Sequence, residues 1–416
     1  MRILVVGKGG REHAIITALH ESPTETEIFS FPGSDAIFEI AKPVDASDLP
    51  TLGEFIRNSA IELVIAGEES YLVKDEGLAA VCAAAGVPCW GPPKESAQLE
   101  ASKDFAKQFM LRHDIPTAKY ALVNSTAEGL AAIEKYPVVL KFDGLAAGKG
   151  VVICQDEAAS RSFLEEVFDQ RKFGAGSVLV EECLVGPEIS IFAAVADSEY
   201  LILAPARDYK RIGENDEGLN TGGMGAVSCR SGMIDQQLLA EIEETAVKRT
   251  IEGLIADGLP YRGFLYFGLM LTEDGPKMLE YNCRFGDPEA QAVLPLIEGD
   301  FTKFVDTGAR GKIDPSLISF SDAWSVCVIL ASAGYPESSH SGDVISGLES
   351  VSDARVFHAG TRKNDAGQFE TAGGRVLAVV ARGSTRVEAV DAAHTEAAKI
   401  DFDGSQRRSD IGRLHF

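Results

Sequence analysis

Along the first hundred residues, short apolar runs alternate with stretches of helical period. RILVV, TEIFSF, LVIAG and VPCW read as strands, and residues 11–20, 50–59 and 76–86 read as helices. This βα repeat predicts a parallel sheet with helices on both faces. GPP at 91–93 ends it, and residues 94–115 read as helical. From 137 to 192 strands dominate. VVLKF and VVIC flank a glycine loop, a helical stretch covers 157–169, and SVLVEECL and EISIFAAVA read as strands. The pattern over 235–256 predicts one long helix. FLYFGLML, a TEDGP turn and KMLEYNCR predict a hairpin, with Asp-Gly as the turn signal. A polar, broken stretch near 310–320 marks a boundary. Beyond it WSVCVILAS and RVLAVVARG read as strands and 386–399 as a helix.

Length and composition narrow the class. A chain of 416 residues suggests two to four domains, and 45% hydrophobic with 25% charged residues is ordinary for a globular protein. No apolar run is long enough to span a bilayer, and MRILVVGKGG reads as a buried first strand rather than a signal peptide. Seven cysteines without a C-x-x-C pair argue against a disulfide framework or a structural zinc site and fit a reducing cytoplasm. The formal charge of −24 repels polyanions and argues against nucleic acid as a partner. A small anionic substrate would need local lysines, arginines and backbone N–H groups.

The motifs carry more. VVLKFDGLAAGKGVVIC at 138–154 is not a Walker loop. Gly144 to Gly148 is one residue short, Gly150 replaces the metal-binding hydroxyl, and the next run is a strand rather than a helix. Gly7-Lys8-Gly9-Gly10-Arg11-Glu12-His13 follows the first strand and opens a helix. Glu12 stands where a dinucleotide fingerprint wants a small residue, and the second strand runs into Pro32-Gly33-Ser34 instead of an acidic residue, so a nicotinamide cofactor is disfavoured. Free N–H groups at a helix start, with Arg11 beside them, suit a phosphate monoester; the plainer alternative is a tight turn without a ligand.

In KMLEYNCRFGDPE, Glu280, Asn282 and Arg284 fall at i, i+2 and i+4 of a strand and share a face. Two hard oxygen donors beside a guanidinium suit Mg2+ and a phosphoryl group in transfer; the alternative is the solvated face of an edge hairpin. Against that alternative, the partner strand is apolar on both faces. Lys141 sits in an apolar strand just before the glycine loop, whereas Lys103 by itself reads as an ordinary lysine. Glu181-Glu182 by spacing alone is an ordinary strand end. Asn220-Thr221-Gly222-Gly223-Met224-Gly225 is either a mobile glycine-rich loop or one whose backbone closes on a substrate.

Taken in order, GGREHA, PGS, QLEASK, LKFDGLAAGKGV, EECL, NTGGMGA and EYNCRFGDPE resemble the glycinamide ribonucleotide synthetase family of the ATP-grasp superfamily. The resemblance continues through FHAGT and RSDIG to the end of the chain. It implies an α/β and α+β multidomain fold. An N-terminal parallel α/β (pre-ATP-grasp) domain over 1–102 would hold the substrate phosphate. An ATP-grasp domain would cover 103–312, with a lid at about 117–190, and a C-terminal mixed α+β domain 313–416.

The implied activity is ATP-dependent ligation of glycine to 5-phosphoribosylamine through glycyl phosphate, in purine biosynthesis, with Mg2+ or Mn2+. The glycine hairpin becomes a lid over ATP. By the same resemblance, ATP would meet Lys103, Lys141, Gly144, Gly148, Lys149 and Gly150 at its phosphates. Glu181, Glu182 and Leu184 would hold adenine, and Glu188 the ribose. Glu280 and Asn282 would hold the metal, with Arg284, Asp208 and Lys141 as catalytic groups. The acid and amine substrates fall to Gly9, Gly10, Arg11, Glu12, Pro32, Gly33 and Glu69. They also fall to Lys210, Asp287 and the loop Asn220, Thr221, Gly222, Gly223 and Met224.

Three stretches depart from the family pattern, all on the amine side: Gly67-Glu68-Glu69-Ser70-Tyr71-Leu72 lacks two prolines, Tyr209 replaces a histidine, and Ser34 replaces an asparagine. The expected partners are small molecules, in a cytoplasmic monomer or weak homodimer, without nucleic acid or membrane. The competing readings are an ATP-grasp ligase for another acid or amine, and a non-catalytic nucleotide binder.

Overall fold

The computed structural model describes residues 1–144 and 150–413. The first unit is a five-stranded parallel sheet ordered Lys42–Pro43, Glu27–Pro32, Arg2–Gly7, Leu63–Ala66, Cys89–Trp90. Its central strand is buried on both faces. Ile3 and Val5 feed one hydrophobic core, Leu4 and Val6 the other. The chain leaves the central strand toward Glu27–Pro32 and later returns on its other side as Leu63–Ala66. That reversal of direction opens a crevice beyond the strand ends, the place where open α/β sheets bind ligands. Gly7–Gly10 and Gly67–Glu69 line it from the two sides. A side chain at either Gly7 or Gly67 would overlap the buried Glu12 side chain lying between them.

The second sheet has nine strands. Its path runs Gly275–Asn282, Arg262–Thr272, Glu188–Ala196, Ala206–Asp208, Gly225–Cys229, Trp324–Ala331, Arg375–Gly383, Arg355–His358, with Glu199–Ile202 attached to Glu188–Ala196. The strands from 188 to 282 and the C-terminal strands therefore share one sheet, joined where Gly225–Cys229 pairs with Trp324–Ala331.

A separate four-stranded sheet is ordered Tyr120–Val123, Val178–Glu182, Val138–Phe142, Val151–Cys154. Helices Thr126–Ala132 and Glu157–Phe168 cover it around a core of its own, with Leu140, Phe142, Phe163 and Leu164. The glycine loop joins antiparallel strands, Lys141 pairing with Val151, as its apolar flanks predict. Gly148 and Lys149 lie outside the described residues.

Two helices differ from expectation. Residues 94–115 give Gln98–Ala101 and Lys103–Arg112, broken at Ser102, whose hydroxyl accepts the Phe105 N–H as an N-cap. Lys103 thus opens a helix. Residues 235–256 form Gln236–Ile242 and Lys248–Ala256 with a π turn, Glu243–Val247, between them.

Candidate active site

The four-stranded sheet, the nine-stranded sheet and the N-terminal crevice enclose one cavity of about 680 Å³. At the end formed by the four-stranded sheet, Glu181 is buried with one oxygen, Oε2, accepting from Lys107 at 3.1 Å and Lys141 at 3.0 Å. Its other oxygen, Oε1, has no partner among the described residues. A buried carboxylate oxygen left open beside a cavity is suited to a donor arriving from outside. Lys107 also donates to Thr117 Oγ1 at 2.7 Å, and burial brings it down to about 8 against the pull of Glu181. Lys103 donates to Gly144 O at 2.9 Å, and its backbone N–H donates to Asp143. Burial lowers the Lys103 ammonium too. Gly144, Gly150, Glu182 and Leu184 complete this end.

The middle of the cavity rests on a β-bulge. Leu269 pairs with Met278 but Gly268 pairs with Glu280, so Leu279 is the extra residue. Strict alternation from buried Pro276 and Met278 would have buried Glu280. The bulge reverses the phase, putting Tyr281 in the core and Glu280 and Asn282 on the cavity. Gly268 gives Glu280 room, since a Cβ there would sit 3.3 Å from Glu280 Cγ. The neighbours of Asn282 assign its amide: nitrogen donates to Tyr281 O at 3.0 Å and Glu100 Oε1 at 3.2 Å. The carbonyl oxygen is thus the atom left for a cation.

Among the described residues no group of three or more His, Cys, Asp and Glu forms a metal cage. A pair of oxygens fits Mg2+ nonetheless, because that ion is usually held by one or two protein oxygens and completed by substrate phosphates and water.

Around the pair lie Glu188, Asp208 and Glu289, with Lys210 donating to Glu188 at 2.6 Å and Ser190 Oγ to Glu289 at 3.2 Å. Burial pushes Asp208 up to about 8, with Lys210 opposing and Glu289, Glu188 and Glu280 adding to the rise. Burial disfavours the Lys210 charge, but Asp208 and Glu188 outweigh it and hold the ammonium well above its ordinary range. Several carboxylates around one lysine leave an excess of negative charge that a divalent cation would neutralise.

At the crevice end two arginines are tied down. Arg11 donates from Nε to Glu12 at 2.7 Å, from Nη1 to Phe285 O at 3.3 Å and from Nη2 to Glu69 at 3.4 Å. Arg284 reaches Glu69 at 3.0 Å and Glu100 at 2.7 Å. Burial works to raise Glu69, yet Arg284 and Arg11 hold it at about 2. Asp287 meets Arg375 at 3.1 Å.

Asn220, Thr221 and Gly222 line the cavity, but Gly9, Gly10, Glu12, Pro32, Gly33, Gly223 and Met224 do not. Glu12 has both oxygens engaged, by Gly9 N and Arg11 Nε, and Met224 is fully buried in the core. Glu100, Lys107, Glu289 and Arg375 are cavity residues that the sequence reading did not single out. Glu100 and Glu289 lie inside the quoted motifs QLEASK and GDPE; Lys107 and Arg375 carry no local signal.

Models described as phosphoribosylglycinamide synthetase match the chain in three consecutive stretches. The N domain matches residues 1–100, the ATP-grasp (A) domain 101–290 and the C domain 325–414. Phosphoribosylamine–glycine ligase of Caldanaerobacter subterraneus subsp. tengcongensis is 43% identical over 417 residues, covering 99% of each chain. The trifunctional purine biosynthetic protein adenosine-3 of Drosophila melanogaster is 42% identical over the whole chain, which spans 32% of that protein. The crystal structure of phosphoribosylamine–glycine ligase from Thermotoga maritima has a TM-score of 0.85 at 34% identity, covering 99% of this chain and 100% of its own. The expected parallel N-terminal sheet, ATP-grasp sheet and C-terminal mixed portion are thereby borne out.

Proposed function

Because the chain belongs to the phosphoribosylglycinamide synthetase family, we propose that it joins glycine to 5-phosphoribosylamine at the expense of ATP, through a glycyl phosphate. The supporting observation is the single cavity in which Lys103, Lys141 and Glu181 meet Glu280 and Asn282, and these meet Glu69, Arg284 and Asp287. Residues 1–102 supply the ribose-phosphate end, 103–312 the nucleotide and metal groups with a lid at about 117–190, and 313–416 the remaining wall.

Amide formation from a carboxylate and an amine in water needs an activated acid. A glycine carboxylate oxygen attacks the γ-phosphorus and the bond to the ADP oxygen breaks. The amine nitrogen of phosphoribosylamine then attacks the acyl carbon, and inorganic phosphate leaves with that same carboxylate oxygen. Such transfers depend on positioning and charge neutralisation more than on covalent help from the protein. Lys103 and Lys141, one at a helix start and one on a strand of the four-stranded sheet, face the phosphates together with Gly144 and Gly150; Gly148 and Lys149, given the same part by the family resemblance, lie outside the described residues. Glu181, Glu182 and Leu184 hold adenine, with Glu181 Oε1 as the open acceptor; Glu188 faces the ribose.

Glu280 and Asn282 would hold Mg2+ or Mn2+, which would supply neutralisation of the phosphate charge. Arg284, kept in place by Glu69 and Glu100, stands at the transferred phosphoryl group. Asp208 and Lys210 set the charge around the glycine. Arg11, its guanidinium held by Glu12, faces the ribose phosphate, while Gly9, Gly10, Pro32 and Gly33 stay off the cavity surface. Asn220, Thr221 and Gly222 border the acceptor amine and Asp287 the glycine, with Gly223 and Met224 continuing the loop outside the cavity. Closure of the lid excludes water, which would hydrolyse the acyl phosphate.

The test is ADP release with glycine and freshly prepared phosphoribosylamine, omitting each in turn and substituting other acids for glycine. Release that needs glycine supports the reading. Equal release with bicarbonate or another amino acid, or release without any acid, contradicts it.

A further inference from the structure

Among the described residues, the C-terminal portion reaches the cavity through one side chain. Arg375 opens the strand Arg375–Gly383, lines the cavity and is 20% exposed. Its Nη1 donates to Gly222 O at 2.6 Å and to Asp287 O at 2.7 Å, and its Nη2 meets the Asp287 carboxylate at 3.1 Å. One guanidinium thus bonds oxygens from two separate segments. Tyr335, also C-terminal, accepts the Gly222 N–H at its hydroxyl, 2.8 Å away. Both backbone polar groups of Gly222 are therefore satisfied by C-terminal residues.

The fit is close. A Cβ at Gly222 would lie 3.1 Å from Arg375 Cζ, one at Gly223 would lie 2.5 Å from Pro288 Cδ, and one at Gly374 would overlap the Tyr335 ring. Of the other cavity arginines, Arg11 and Arg284 are paired with Glu12, Glu69 and Glu100, Arg207 lies 3.9 Å from Asp216 and Arg211 donates to Gly218 O, whereas Arg375 bonds both Asp287 and the glycine-rich loop.

We propose that Arg375, assisted by Tyr335, is a positioning residue that clamps the Asn220–Met224 loop to Asp287 and so shapes the acid and amine pocket from the C-terminal side. This rests on the function proposed above. It assigns the C-terminal portion a part in the ligation step beyond packing. None of the clamp's bonds involves Lys103, Lys141 or Glu181, so its loss separates the substrates: acid and amine are affected, nucleotide is not.

The experiment compares wild type with Arg375→Ala, Arg375→Lys and Tyr335→Phe. It measures KM and kcat for each substrate, ADP affinity by calorimetry and the melting temperature. Arg375→Ala is expected to raise KM for glycine or phosphoribosylamine roughly tenfold or more, the scale of one or two lost charge-assisted bonds, with ADP affinity within about twofold. Added guanidinium restores part of the rate. Arg375→Lys recovers little, because an ammonium cannot reproduce the fork. Tyr335→Phe gives a smaller shift of the same kind and carries the test if Arg375→Ala melts below assay temperature. Unchanged KM values in every folded variant, or parallel losses of ADP affinity and acid affinity, overturn the proposal. Failure of wild type to release ADP with glycine overturns the underlying function instead.

Discussion

At the scale of residues, the pair Glu280 and Asn282 was legible because a strand repeats every two positions, and two hard oxygens at that spacing on an apolar hairpin have few structural uses. What the spacing hid was the bulge at Leu279, a backbone event with no side-chain signature, which decides that these groups face the cavity and not the core. Arg11 shows the opposite limit. The sequence displays its charge but not Glu12 and Glu69, which hold it in a buried network. Replacing Glu280 with alanine is expected to lower turnover at saturating Mg2+ by roughly 100-fold or more, since one of the two oxygens proposed to hold the cation is lost. Steady-state ADP release from the folded variant checks this, and a wild-type rate contradicts it.

At the scale of elements, strands such as Arg2–Gly7 and Arg375–Gly383 were readable because continuous apolar runs between turn signals leave little choice. Ala206–Asp208 and Tyr120–Val123 were not, being short and partly polar, with pairing set by distant neighbours. One junction between elements is expected to respond to pH. Helix Gly10–His20 meets strand Arg355–His358 through His13, whose Nδ1 accepts the His358 N–H at 3.0 Å. Burial lowers His13 to about 4 and His358 to about 3. Both are neutral in the folded chain, so their contribution is complete above the ordinary value near 6.5. It is lost as pH falls from there through about 4 and about 3. His13→Asn keeps an acceptor oxygen but cannot titrate. Urea unfolding at pH 7 and at pH 4.5 should show wild type losing on the order of 2 kcal/mol more than the variant. Identical pH slopes contradict this account of the junction.

At the scale of the whole molecule, the N-terminal crevice, the nine-stranded sheet and the four-stranded sheet each supply one side of a shared cavity. The order of motifs made that organisation visible in the sequence through family resemblance. The contribution of the last hundred residues was not visible, because Arg375 and Tyr335 act across contacts far apart in the chain. The central claim is that this cavity passes a phosphoryl group to glycine before the amine attacks. The most direct measurement uses glycine labelled with 18O in its carboxylate and follows the label by mass spectrometry of the products. Transfer of one labelled oxygen into each inorganic phosphate is the predicted result; phosphate free of label, with ligated product still formed, would contradict it.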